Sequence, residues 1–215
     1  MLTSTEPVSA AARIPPSPAA PVLPVFSPSE RSDRWGEWPE GPREAAGGET
    51  GAIAAQLGRP LRAESRVVAR CHLDLPVVIE VPPLLNDGTP FPTRYWLTCP
   101  LAVKRISRIE SRGEIGRLET RRQNDRTFAA DLDEAHRRYE SERDILLPPD
   151  ASPRPRGGVA GAVAGIKCLH AHYADHASGN DNPVGAMVAP QIEPLDCTVP
   201  CVADGVLNPN WQEPR

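Results

Sequence analysis

Ten prolines fall in the first 60 residues, mixed with Ser, Ala, Gly and scattered charge. Each fixes φ and removes a backbone donor. No apolar period of 2 or 3.6 survives there for more than a few residues. Such a stretch cannot bury enough apolar surface to offset its ordering entropy, so residues 1–62 are expected to be a disordered Pro/Ala-rich tail. Trp35 and Trp38 stand out in it. They are expected to be side chains of a solvated tail, with a short docking motif as the alternative.

Folding is therefore left to one domain, over residues 63–203. "LPVVIEVPPLL", "NDG" and "TRYWLT" suggest two strands around a turn-rich connection. Val77, Ile79 and Val81 alternate with Val78 and Glu80, the period of a half-buried strand. Prolines 82, 83, 90 and 92 favour a wide loop over a tight hairpin. Tyr95 and Trp96 point to opposite sides of their strand, one to the core and one to a cleft or interface.

After Pro100 the pattern turns helical. Leu101, Ile106, Ile109, Ile115 and Leu118 fall near helical spacing, with Gly113 and Gly116 placed to bend or interrupt the run. A second helix, about 126–147, carries Phe128, Leu132, Ala135, Tyr139 and Leu146 on one face. A linker at 148–158 leads to a third helix over about 159–178, and residues 204–215 form a C-terminal tail. The fold class expected is α+β: a short two-stranded hairpin-like unit packed against three to four helices.

Charge narrows the function. The formal net charge is −4, and residues 101–147 hold 11 basic and 10 acidic side chains. That balance describes a solvated, salt-bridged exterior and gives no reason to expect nucleic acid as a partner. "GGVAGAVAGI" is too short and glycine-rich to span a bilayer, so no membrane partner is expected. The N-terminus lacks a basic region followed by an uninterrupted apolar one, and the protein is expected to be cytoplasmic. In a reducing compartment its five cysteines are free thiols or metal ligands more readily than a disulfide framework.

"RCHLDLPVVIEVPPLLNDGTPFPTRYWLTCP", "AHRRYESERD", "KCLHAHYADH" and "NPVG" occur in that order. Together they resemble the actinobacterial family known as domain of unknown function 501, over roughly residues 66–202. The resemblance implies no established activity. Genes of the family often lie beside those for enolase, a septum-formation protein and an exopolyphosphatase, which implies a housekeeping or division-linked role. The family commonly has proline after the first cysteine and glycine two residues further on; here His72 and Asp74 stand instead.

Four cysteines sit inside these motifs at element boundaries or on a helix, where distant segments can converge. Cys168, His172 and His176 are spaced i, i+4, i+8, and His170 points elsewhere. The expected site is a structural zinc or iron–sulfur centre using Cys71, Cys99, Cys168 and either Cys201 or His172. Two alternatives remain. In one the thiols are buried core residues of a protein-interaction module whose amphipathic helices contact an unknown protein partner. In the other, Cys99, before Pro100 at a helix N-terminus, is an activated thiol of an enzyme or redox sensor. Glu80, Asp87, Glu110, Asp131 and Glu134 show no pairing that would single out an acid/base couple and are expected to be solvated.

Overall fold

The computed structural model describes residues 47–214. The expectations for residues 1–46, Trp35 and Trp38 among them, lie outside the described residues.

The strand Pro76–Glu80 (β2) organises the domain. Arg66–Arg70 (β1) and Tyr95–Leu97 (β3) pair with it antiparallel on either side, giving the order β1-β2-β3. The two expected strands are β2 and β3. The sheet gains β1, whose five half-buried residues "RVVAR" pair with β2 through shifted register.

The half-buried alternation expected of β2 does not hold, because both of its faces are covered and all five residues are buried. Val77 and Val78 join the main core with Leu101, Ile106, Leu132 and Tyr139. Ile79 and Val81 join a second cluster with Ile53, Ala63 and Leu85. Glu80, expected to be solvated, is only 3% exposed. Its carboxylate takes the guanidinium groups of Arg66 (2.5 Å) and Arg94 (2.8 Å), one from each side of the sheet.

The second cluster moves the domain boundary. A helix over Gly47–Leu57 (α1) lies inside the expected tail and buries Ile53 to 1% exposure. Its "AIAAQL" is a run of strong helix formers standing between Pro42 and Pro60, so the proline argument does not reach it.

Pro100–Ser111 (α2) and Glu114–Asn124 (α3) are separated at Gly113, which takes φ 83 as the expected interruption. Arg126–Asp144 (α4) starts under an Asp125 cap, whose side chain accepts from the Phe128 N–H. It buries Phe128, Leu132, Ala135 and Tyr139, as expected, and also His136 and Arg143. Leu147, and not Leu146, is the buried residue just beyond it. Along the outer faces the charges pair in sequence: Glu114–Arg117, Glu119–Arg122, Arg121–Asp125, Glu134–Arg137 and Arg138–Glu142.

The third helix differs most from expectation. A single 3-10 turn spans Val159–Gly161, and the α-helix proper is Leu169–Ala177 (α5). Tertiary contacts hold the glycine-rich stretch open. Gly165 takes φ 71, and a Cβ there would run into Glu119, whose carboxylate accepts the Ile166 N–H. A Cβ on Gly158 would lie 2.5 Å from His136 Nδ1, which accepts the Val159 N–H (3.0 Å). Part of the expected linker is anchored as well, because fully buried Arg143 donates to the carbonyls of Gly157 and Pro155.

Pro183–Ile192 (α6) follows under an Asn182 cap. The expected C-terminal tail also packs: Val202–Ala203 (β4) and Val206–Leu207 (β5) form a small hairpin, the Trp211 indole donates to Cys197 Sγ (3.4 Å), and Glu213 pairs with Arg108. At residues 71–75 the chain turns tightly even without the family's glycine, because Asp74 takes φ 58, a conformation Asp tolerates better than most.

Candidate metal centre

Among the described residues one group of three or more His, Cys, Asp or Glu side chains brings its ligand atoms within 4.8 Å of one another: Glu110, Cys168 and His170. The group is built where the C-terminal turn of α2 meets the start of α5. Cys168 is the N-cap of α5, with extended backbone (φ −159, ψ 122), and it forms no side-chain cap of its own. Glu110 reaches over from α2 and accepts the Leu169 N–H at 2.7 Å, satisfying a donor that the helix start leaves open.

Proton assignment at His170 follows from its neighbours. Nε2 lies 3.3 Å from the Val103 carbonyl and 3.2 Å from Ser107 Oγ. The Ser107 hydroxyl already donates to Val103 O (2.8 Å), so both partners of Nε2 are acceptors and Nε2 carries hydrogen. In the neutral ring Nδ1 is then a lone pair. It faces Glu110 Oε1 at 3.2 Å and Cys168 Sγ at 3.6 Å. The Cys168 S–H can donate to that lone pair, but Glu110 Oε1 beside it finds a partner there only if Nδ1 is protonated or a cation lies between them. Burial pulls the His170 pKa down, but the Cys168 thiol, the Glu110 charge and the Val103 carbonyl together carry it above the ordinary histidine value.

The same separations suit a cation. Tetrahedral bonds of about 2.0–2.1 Å to N and O and about 2.3 Å to S place N and O about 3.3 Å apart and S and N about 3.6 Å apart. The Nε2–H bond to a backbone carbonyl is the usual partner of a metal-binding imidazole, fixing its tautomer and direction. Glu110 and His170 side chains remain 25% and 23% exposed, leaving a solvent-facing side for a fourth ligand. The arrangement is not a nucleophile–base–acid relay, since thiol and carboxylate both face the same ring nitrogen.

The expected ligand set separates into three places. Cys168 belongs to the group just described. Cys71, Cys99 and Cys201 share one neighbourhood: Cys99 feels the charge of the other two, and Cys201 feels that of Cys71 and Cys197. Their ligand atoms nonetheless form no group of three within 4.8 Å among the described residues. Cys99 packs into the main core at the α2 N-cap, while Cys201 belongs to a small cluster with Ala52 and Val202 and accepts from Gln56 Nε2 (3.5 Å). Burial pushes the Cys99 thiol up to about 12, against the pull of the Ala102 and Leu101 N–H groups. Burial raises Cys201 too. The activated-thiol expectation for Cys99 is thereby corrected: the helix terminus is present, but desolvation outweighs it.

His172 is also elsewhere. It is fully buried, and its Nδ1 donates to Asn182 Oδ1 (3.1 Å), the oxygen that caps α6. Its ring meets that of His136 edge-on at 5.6 Å. Burial holds its pKa down at about 4, and Nε2 has no partner among the described residues. The i, i+4 pairing expected of Cys168 and His172 failed because the helix begins at 169. From the N-cap, in extended conformation, Cys168 Sγ meets His170 Nδ1 instead. The signal was Cys-x-His at a helix start following four glycines in nine residues.

Residues 67–190, more than half of the chain, match the profile of a family described as "Protein of unknown function (DUF501)". The chain belongs to the DUF501 family. Glu110, Cys168 and His170 all lie inside the matched DUF501 region, while Cys197, Cys201 and α1 lie outside it. No curated protein and no solved structure matches the chain. Among the described residues no helix is long and apolar enough to cross a membrane.

Proposed function

We propose that this DUF501 protein binds one zinc ion through Glu110, Cys168 and His170, with water in the fourth position. The observation that supports the reading is the His170 Nδ1 lone pair, held 3.2 Å from a carboxylate oxygen and 3.6 Å from a thiol sulfur, at the separations a tetrahedral ion requires. One thiolate, one imidazole and one carboxylate suit zinc and not an iron–sulfur cluster, which takes four thiolates. The ion ties the end of α2 to the start of α5. In that place it stabilises the fold, because its ligands come together only in the folded chain.

Cobalt(II) titration of the anaerobically purified, chelator-treated protein tests this. The expected result is one equivalent of cobalt with a thiolate-to-cobalt charge-transfer band, absent from Cys168→Ser and unchanged in Cys71→Ser. No band, or a band that survives Cys168→Ser, overturns the proposal. If no band forms, Nδ1 is served instead by the Cys168 S–H or, when protonated, by Glu110.

A further inference from the structure

A cleft opens between the sheet, the C-terminal end of α1 and the residues that follow it. Leu57, Leu61, Leu85, Phe91 and Trp96 supply its apolar lining, and Arg59 and Arg62 are its charged members. It shares no residue with the group at Glu110, Cys168 and His170. Trp96 is half-buried and stacks on Phe91, with ring centroids 5.3 Å apart, so it is the cleft-facing member of the Tyr95–Trp96 pair.

Size limits what fits. The cavity measures about 60 Å³. A dry cavity that takes up benzene has about 150 Å³, and pockets that enclose a small-molecule ligand run to roughly 300–1,000 Å³. The cleft therefore has room for the end of one aliphatic side chain, and not for an aromatic ring or a whole metabolite. A group that small cannot repay the cost of association by itself, so it has to be carried on a longer chain that makes contacts outside the cleft.

Charge sets what stands beside that group. Arg62 is exposed and already holds Asp87 at 2.8 Å. Arg59 is exposed too, and its guanidinium carbon lies 5.5 Å from the Trp96 ring centroid. Among the described residues Arg59 forms no ion pair with a carboxylate. The rim thus presents two guanidinium groups against one carboxylate, and the unmatched one rests on the indole at the mouth, where it can take an acid in its planar fork.

We propose that the cleft receives an acidic linear peptide of a partner protein. One Leu, Ile or Val side chain enters beside Phe91 and Trp96, and a neighbouring Asp or Glu pairs with Arg59. The buried anchor supplies most of the affinity. The rim charge orients the peptide and makes its capture salt-sensitive.

The test selects a random twelve-residue peptide library on the immobilised full chain. The counter-target is Arg59→Glu, an exposed substitution whose fold is checked by circular dichroism. A selected peptide is then titrated by calorimetry and by NMR of the Trp96 indole N–H. The expected peptides share one aliphatic residue flanked by Asp or Glu, and they shift the Trp96 signal. Arg59→Glu is expected to weaken them about tenfold, and replacing the peptide's aliphatic residue by Ser to abolish binding. No enrichment over the counter-target, selected peptides that are neutral or basic, or an unmoved Trp96 signal would each overturn the proposal. So would an affinity that survives the Ser replacement, or RNA or anionic vesicles binding through Arg59 in place of a peptide.

Discussion

Replacing Asp175 by Ala is expected to remove a large part of the stability that holds α5 in place. Asp175 is fully buried in that helix. Its Oδ2 accepts from Arg138 Nη2 (2.5 Å) and Asn182 Nδ2 (2.8 Å), and its Oδ1 from Asn180 Nδ2 (2.9 Å). The carboxylate thus joins α4, α5 and the turn into α6. Removing it strands a cation and two amide donors. Breaking a buried pair by deleting one member costs about 3–5 kcal/mol. The lower end applies here, because the Arg138 side chain is 21% exposed and keeps Glu142 at 3.3 Å. A loss of about 3 kcal/mol corresponds to a fall in Tm of roughly 6–12 °C for a domain of this size. Urea denaturation at pH 7 measures it. Glu134→Ala is the control: its pair with Arg137 is exposed on both sides, so the loss should be well under about 1 kcal/mol. Adding Arg138→Met to Asp175→Ala should recover part of the loss, because no cation is then left stranded. Asp175→Ala within about 1 kcal/mol of wild type, or no recovery in the double variant, would refute the reasoning.

Gly158→Ala should destabilise by about 1–3 kcal/mol, since its Cβ would meet His136; unchanged urea midpoints would contradict that packing. Ile53→Ala should cost roughly 2–4 kcal/mol if α1 is part of the core, and a neutral effect would return residues 47–62 to the tail. With its pKa at about 12, the Cys99 thiol stays protonated at neutral pH and should alkylate only as fast as the chain unfolds. The sign for stability follows: an acid whose folded pKa is raised gives stability that is complete below about 9 and is lost as pH climbs toward 12. Rapid native-state alkylation of Cys99 at pH 7 would contradict this.

Local pattern carried the two helical stretches after Pro100 and the position of the central strand. Pro100 at a helix start, Gly113 as an interruption and the Phe128–Tyr139 stripe are properties of neighbouring residues, and they stand in the structure where they were expected. What depends on distant contacts was not legible. Glu80 is solvated by any local rule, and only the arrival of Arg66 from β1 and Arg94 from just before β3 makes its burial tolerable. The helix over 159–178 has acceptable periodicity, yet His136 and Glu119, from other helices, capture its backbone donors and delay it to 169. That ten-residue shift changed the candidate site, exchanging His172 for His170 and drawing in Glu110.

X-ray absorption at the zinc edge of the reconstituted protein tests the central claim most directly, because it counts sulfur ligands. The site at Glu110, Cys168 and His170 predicts one sulfur at about 2.3 Å and N or O ligands at about 2.0–2.1 Å, including the outer-shell signature of a single imidazole. Two or more sulfurs at bonding distance would contradict it and return the metal to Cys71, Cys99 and Cys201.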